Sequence, residues 1–238
     1  MRTRRPGPAP IPRSAFAGFS FPSDVIVLAV RRYLRFALSY RDVEELLAER
    51  GIEVDHVTIY RWVQRFTPLL AEAARPCRHA VGDRWFVDET TSSSPGSGAT
   101  STGRSTSSAR SSTCLCRHAG TSRRPAGFFG QATKVTKVAP VEVTTDQAAT
   151  YPIVLEDLLP AARHPTDQYA NNRVECDHGR LKSWLRPMRG LNQDRSARIV
   201  IAGHSLVQNL RRGHYEVAVE EPVSLRVAVA FAELALAI

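Results

Sequence analysis

The sequence has few cysteines and no long apolar run, and each shortage excludes a class of protein. Its 238 residues include four cysteines without the spacing of a disulfide framework, which argues against a secreted disulfide scaffold. No apolar stretch reaches the roughly 18 residues that a membrane span requires. The first thirteen residues alternate arginine with proline and lack the apolar centre of a signal peptide. We therefore expect a soluble, cytoplasmic protein with reduced cysteines and no membrane partner.

The stretch from residue 91 to about residue 127 lacks several residue types altogether. It is mostly Ser, Thr, Gly and Arg and has no Asp, Glu, Val, Ile or aromatic residue. Such a composition buries too little apolar surface to offset the entropy lost on ordering. One interpretation is a flexible, disordered linker. The other, which we favour, is a segment read in a shifted frame, because a one-nucleotide shift with suitable codons yields alternating, strand-like peptides at several places.

Positive charge is what the sequence has in excess. The chain contains 32 Lys and Arg against 23 Asp and Glu, a formal net charge of +9. This balance favours a polyanionic partner such as nucleic acid. The length allows one or two domains with buried cores.

Three short helices are predicted between residues 21 and 67, after a basic, proline-rich arm over residues 1–20 that we expect to be loose. Ser23, a capping-box variant at Ser39, and Asp55 can cap the three helices. The expected buried face of the third helix comprises Ile59, Trp62, Val63 and Phe66. Its polar face is typical of a helix-turn-helix that enters a DNA major groove, although a plain helical bundle is the alternative. The side chains of this face that can reach bases or phosphates are His56, Thr58, Arg61, Gln64 and Arg65.

A linker over residues 68–82 leads to a second domain with three separated acids. One apolar strand ends in Asp88, and a later alternating strand ends in Asp146. Glu175 lies on a predicted helix, and Lys182, two turns later, returns to the same helix face. Three carboxylates from different elements can hold two divalent ions, since Mg²⁺ prefers hard oxygen ligands, and the amine can hold a DNA backbone. The simpler alternative for the helical pair is a solvated face.

Several strings resemble the bacterial insertion-sequence transposases of the insertion-sequence-six family. They are WFVDET, EVTTDQAATYP, QYANNRVECDHGRLK, LRPMRGL and GHSLVQNLRRGHYE, and LSYRDVEELLAERGIEVDHVTIYRWVQRF is similar to the N-terminal domain of that family. The resemblance implies an α+β protein with a helix-turn-helix at residues 21–67 and an RNase H-like DDE domain at residues 83–215. A C-terminal helix over residues 216–238 is expected to pack in cis or on a second subunit.

Carried over residue by residue, the resemblance implies the site. The triad residues, which would bind two Mg²⁺ ions or alternatively Mn²⁺, are Asp88, Asp146 and Glu175. The basic residue that follows the triad is Lys182. Further cations that either track DNA phosphates or are simply solvated are Arg180, Arg186 and Arg189. Two nearby acids interpreted as supporting or solvated are Glu89 and Asp177.

The resemblance also implies an activity. It predicts an enzyme that binds terminal inverted repeats and joins element ends to target DNA by Mg²⁺-dependent cleavage and strand transfer, as a homodimer or larger assembly on DNA at the bacterial nucleoid. Residues 91–127 would supply the second and third strands of the sheet in this family. Without them the strand of Asp88 becomes a sheet edge, so we predict weak or absent transposition. The alternatives are an inactive DNA-binding remnant and a nuclease that never joins ends.

Overall fold

The computed structural model describes residues 14–80, 82–94, 97–106, 125–145, 150–165, 179, 183 and 194–238. Helices and strands within these ranges form two hydrophobic clusters, one of helices alone and one around a small sheet. The helices are α1 (Ser23–Phe36), α2 (Tyr40–Ala48), α3 (His56–Ala73), α4 (Pro125–Thr136), α5 (Thr150–Leu158), α6 (Asp194–Arg211) and α7 (Val223–Leu236). The strands are β1 (Arg84–Ser94), β2 (Ser97–Thr106) and β3 (Glu142–Thr145).

Local capping decides where α2 and α3 begin, as predicted. In a capping box, the Asp42 backbone N–H donates to Ser39 Oγ at 3.1 Å and the Ser39 N–H donates to Asp42 Oδ2 at 2.8 Å. At the start of α3, Asp55 Oδ2 accepts the backbone N–H of Val57 at 3.0 Å. Helix α1 instead has Pro22 at its cap position and no side-chain cap, so the predicted cap at Ser23 is wrong. The predicted apolar face of α3 is confirmed, because all four of its residues are buried: Ile59, Trp62, Val63 and Phe66.

Helix α3 is longer than predicted, and the linker does not begin at residue 68. The helix continues to Ala73 with Pro68 inside it, on the exposed side. Proline in a helix interior removes one donor and costs about 3 kcal/mol. The residues beside it, Thr67 and Leu70, are buried in the helical cluster. Burial of this last part of the helix offsets the unfavourable proline.

The last residues of the N-terminal arm pack against α3, so the prediction of a loose arm as far as residue 20 is wrong for this part. The ring of Phe16 stacks on Phe66 with centroids 4.6 Å apart, and Phe21 meets Trp62 edge-on at 5.2 Å. These rings supply the apolar surface that the arginines and prolines before them lack. Residues 1–13 lie outside the described residues.

Helix α6 completes the core of the N-terminal helices, although it falls within the predicted catalytic domain. It contacts α3 and α1, and its apolar residues belong to their cluster. At the contact lies buried Gly203, where a Cβ would overlap the side chain of Leu34 and lie 2.9 Å from Thr67 Cγ2. The missing side chain therefore lets α6 approach both helices closely. Helix α7 packs in cis on α1 and α6, which was one of the two predicted arrangements.

Strand β1 is the central strand of a three-stranded sheet with the order β2-β1-β3. It pairs with β2 antiparallel from Trp85 opposite Thr106 to Ser94 opposite Ser97. The predictions that β1 lacks its second strand and becomes a sheet edge are therefore wrong. Strand pairing uses backbone N–H and C=O groups, which a Ser/Thr-rich segment has like any other. The described parts of this stretch, residues 91–94, 97–106 and 125–127, lie in β1, β2 and α4.

A second cluster holds the sheet against α4 and α5. Trp85 is fully buried, and its indole N–H donates to the carbonyl of Gly82 at 3.1 Å. The other buried members are Phe129, Ala132, Val143, Tyr151, Leu155 and Leu159. The α+β class is thus confirmed. None of the helices in the described part of the chain combines the length and apolarity needed to cross a membrane.

Candidate catalytic and DNA-binding sites

The parallel pairing of β1 and β3 brings two acid-bearing segments to the same level. Its register runs from Arg84 opposite Glu142 to Val87 opposite Thr145. The residue after Val87 is Asp88, whose backbone belongs to β1 and pairs with Gly103 of β2. The residue after Thr145 in the chain is Asp146. The described register therefore ends at two residues that are each followed in sequence by an aspartate.

The other residues predicted for catalysis, and those predicted for DNA contact in the same domain, lie outside the described residues. They are Asp146, Glu175, Lys182, Arg180, Arg186 and Arg189, together with the neighbouring acid Asp177. Asp88 and Glu89 are placed by their backbones on β1. The roles of all these side chains stay predictions.

A histidine that the sequence analysis did not single out lies beside the end of β3. His164 Nε2 is 2.8 Å from the hydroxyl oxygen of Thr145. Thr145 is buried, with 4% of its surface exposed. Around it the chain is held by two backbone hydrogen bonds, from Val143 N–H to Arg163 O at 2.9 Å and from Arg163 N–H to Val141 O at 2.8 Å. Burial lowers the pKa of His164, so the neutral imidazole is favoured. No motif or spacing could have indicated this contact, because it joins residues that are distant in sequence.

The predicted DNA-binding residues of α3 differ in their exposure. Arg61 and Arg65 are exposed, and the Arg65 guanidinium lies over the ring of Phe19 at 5.5 Å. Thr58 and Gln64 are half-buried, and the Gln64 side chain hydrogen-bonds to Tyr40. The helix therefore presents its two arginines to solvent more openly than its neutral polar residues.

His56 connects the start of α3 to α2. Its Nδ1 lies 3.1 Å from Glu44 Oε2 and 3.1 Å from Asp55 Oδ1. Among the residues that the structure describes, these three form the group of potential metal-ligand atoms within 4.8 Å of one another. An imidazole N–H that donates to the two carboxylates accounts for this geometry without a metal ion. The group contains none of the residues predicted to hold Mg²⁺.

One side of the predicted outer face of α3 is occupied within the fold. Tyr60 contacts Tyr40 edge-on with centroids 5.5 Å apart, and its hydroxyl lies 3.4 Å from Ser196 Oγ of α6. Tyr40 also stacks on Tyr33 at 4.3 Å. Burial, first of all, raises the pKa of Tyr40 well above its ordinary value, so its hydroxyl stays neutral. This tyrosine cluster ties α1, α2, α3 and α6 together.

Comparisons with known proteins identify the class of protein. A family model described as a DDE domain matches residues 115–214, a range that contains the positions of Asp146, Glu175 and Lys182 but not Asp88. The transposase for insertion sequence-like element IS431mec of Staphylococcus aureus is 32% identical over 167 residues, which cover 68% of this chain and 74% of that protein. The transposase for insertion sequence element IS257 in transposon Tn4003 of Staphylococcus aureus gives the same identity and coverage.

The chain therefore belongs to the insertion-sequence-six family of DDE transposases, and the resemblance carried by its sequence strings is confirmed. The DDE match supports the RNase H-like fold predicted for the catalytic part. A chain in the structure of a simian T-cell lymphotropic virus intasome, in complex with PP2A regulatory subunit B56 gamma, is 14% identical with a TM-score of 0.36. That match covers 55% of this chain and 51% of the other, and a likeness this weak carries no argument.

Proposed function

We propose that this transposase binds the terminal inverted repeats of its own element and catalyses Mg²⁺-dependent cleavage and transfer of DNA strands. The observation that carries the proposal is the register in which Val87 lies opposite Thr145. Membership of the DDE transposase family supports DNA as the substrate.

The register supports a shared acidic site at the ends of β1 and β3. Continued by one residue, it would put Asp88 and Asp146 opposite each other on adjacent parallel strands. Neighbouring strands lie about 4.8 Å apart, which suits carboxylates that bind a pair of ions roughly 4 Å apart. Glu175 would complete the site, and carboxylate oxygens are the ligands that Mg²⁺ prefers. When bound, the metal pair supplies activation of the attacking oxygen and stabilisation of the leaving oxygen of a phosphodiester.

The basic residues of the chain would hold the DNA at this site. Lys182 lies two helical turns after Glu175 in the predicted helix and would bind a phosphate beside the acids. Arg180, Arg186 and Arg189 would extend that contact along the backbone. The DNA would then be fixed by charge on both sides of the scissile phosphate, which is the positioning that phosphoryl transfer requires.

We assign α1–α3 as the helix-turn-helix that recognises the repeats, with α3 in the major groove. Its two exposed arginines, Arg61 and Arg65, lie one turn apart on the same face. Asp55 and the capping box at Ser39 fix where α3 and α2 begin, and His56 of α3 contacts Glu44 of α2. Helix α6 packs on α3 through Gly203. The proposed recognition helix is therefore in contact with a helix that follows Glu175 in the chain.

A second candidate is a DNA-binding remnant that occupies the repeats without cutting them. It is favoured by the DDE match, which begins at residue 115 and leaves Asp88 outside the matched range. It is also favoured by the composition of residues 91–127, which lack every apolar β-branched residue and every acid.

Strand transfer by the purified full chain tests the proposal. The substrate is a labelled duplex that carries the ends of the element, mixed with a supercoiled target plasmid, in Mg²⁺ or in EDTA. The prediction of weak or absent transposition rested on β1 as a sheet edge, and its pairing with β2 removes that reason. We therefore expect joined products in Mg²⁺ only, and loss of those products in Asp146→Asn. Asp157→Asn is the matched control, because Asp157 is an exposed acid on α5. Binding of the duplex without any product would support the remnant, and cut ends that are never joined would support a nuclease.

A further inference from the structure

Val57 is an exposed apolar residue on a helix whose other large apolar residues face inward. It is 40% exposed, whereas Ile59, Trp62 and Val63 are at most 2% exposed. It is the second residue of α3, directly after His56. All of α3 lies within the described residues, and Val57 is the large apolar side chain of this helix that remains open to solvent.

Val57 shares a helix face with the two exposed arginines. Positions four apart lie one turn from each other, so Val57, Arg61 and Arg65 form one stripe along α3. In a helix-turn-helix, the first residues of the recognition helix are those that contact base edges. Val57 therefore occupies the base-reading end of this stripe, and the arginines follow it.

The acids around Val57 are already partnered. Asp55 Oδ2 accepts the N–H of Val57 itself at 3.0 Å, and Asp55 Oδ1 lies 3.1 Å from His56 Nδ1. Glu44 Oε2 lies 3.1 Å from the same nitrogen. Both carboxylates are therefore engaged in contacts within the protein. One turn before Arg61, this stripe presents the isopropyl group of Val57.

A valine side chain can recognise one feature of the major groove. Each base pair presents hydrogen-bond donors and acceptors there, and only thymine adds an apolar group, its 5-methyl. We infer that Val57 is a specificity-determining residue that contacts the 5-methyl group of a thymine in the recognised duplex. The inference rests on the proposed function, because it requires α3 to bind in a major groove.

Replacing thymine by uracil removes that methyl group and leaves base pairing unchanged, which makes it a direct test. Full-length protein first selects its preferred duplex from a random pool, and the selected duplex is then remade with deoxyuridine at each thymine in turn. At one or two positions we expect wild-type affinity to fall roughly fourfold, the equivalent of about 0.8 kcal/mol for one buried methyl. Val57→Ala should bind thymine and uracil versions of those positions equally.

Matched variants make the test specific. Val219→Ala removes the same groups from a valine of similar exposure, 38%, outside α3, and should keep the full discrimination. Arg61→Ala should weaken binding to both duplexes together. An unchanged melting temperature of Val57→Ala shows that the effect does not come from unfolding.

Two results would overturn the inference in distinguishable ways. If wild-type protein binds the selected duplex tightly but ignores the uracil replacements, or if Val57→Ala keeps the discrimination, the thymine contact is wrong and DNA binding stands. If the wild-type chain selects no duplex even at low salt, DNA binding through α1–α3 fails and the contact fails with it.

Discussion

Val87 of β1 lies directly opposite Thr145 of β3 in a parallel register, and each is followed in sequence by an aspartate. The sequence pattern put an acid at the end of each strand, but it gave no register. The structure adds the register of the two strands up to the residue that precedes each aspartate in sequence.

Replacement of the second aspartate should abolish strand transfer. Asp146→Asn keeps the size of the side chain but removes a charged oxygen ligand. Outer-shell partners of metal ligands alone are worth about 10–100-fold, so we expect a loss of ~100-fold or more for a direct ligand. Strand-transfer rates in Mg²⁺ measure the loss, with Asp157→Asn as the control. Equal rates for wild type and Asp146→Asn would exclude this residue from the site.

Gly203→Ala should destabilise the helical core. The added methyl group would overlap Leu34 and press on Thr67, and overpacking of this kind costs about 1–3 kcal/mol. Urea denaturation measures the free energy of unfolding. Gly130→Ala in α4 is the control, because a Cβ there meets nothing within 4 Å and alanine favours helix. Equal effects of the two substitutions would contradict the close packing of α6 on α1 and α3.

Acidification should destabilise the region around β3 through His164. Burial lowers the pKa of this imidazole in the folded protein below its ordinary value. As the pH falls through about 6.5, the unfolded chain takes up a proton that the folded chain resists, so the free energy of unfolding decreases. Above that pH both states are neutral and the effect is absent. Unfolding measured between about pH 7.5 and 5.5 should therefore show a pH dependence that shrinks in His164→Asn.

Removal of one of the two exposed arginines on α3 should weaken DNA binding in a salt-dependent way. Arg61→Ala would lose one phosphate or base contact, and the slope of log affinity against log salt should fall by about 0.9 if the contact is a phosphate. Arg75→Ala is the control, since Arg75 is also exposed but lies beyond the end of α3 and pairs with Glu72 at 3.2 Å. Gel shifts at several salt concentrations give both slopes, and identical behaviour of the two variants would contradict the assignment of α3.

The gene should contain a compensated frameshift over codons 91–127. A paired loss and gain of single nucleotides bracketing codons 91–127 is expected from the composition of that stretch. The hairpin of β1 and β2 does not test this interpretation, because the backbone pairs whichever side chains it carries. If comparison with the genes of family members finds no such pair of nucleotide changes, residues 91–127 are a natural Ser/Thr-rich insertion.

The sequence by itself determined the family, the caps at Ser39 and Asp55, and the buried face of α3. Each of these depends on residues that are close in the chain, where spacing and hydrogen-bonding type act directly. It misplaced the end of α3, because the burial of Thr67 and Leu70 that offsets Pro68 depends on distant partners.

Only the tertiary structure decided how the parts are joined. The close fit of Gly203 against Leu34 and Thr67, the contact of His164 with Thr145, and the central place of β1 join residues far apart in sequence. Close packing and strand register are properties of surfaces that meet in space, and periodicity along one chain segment does not specify its partner.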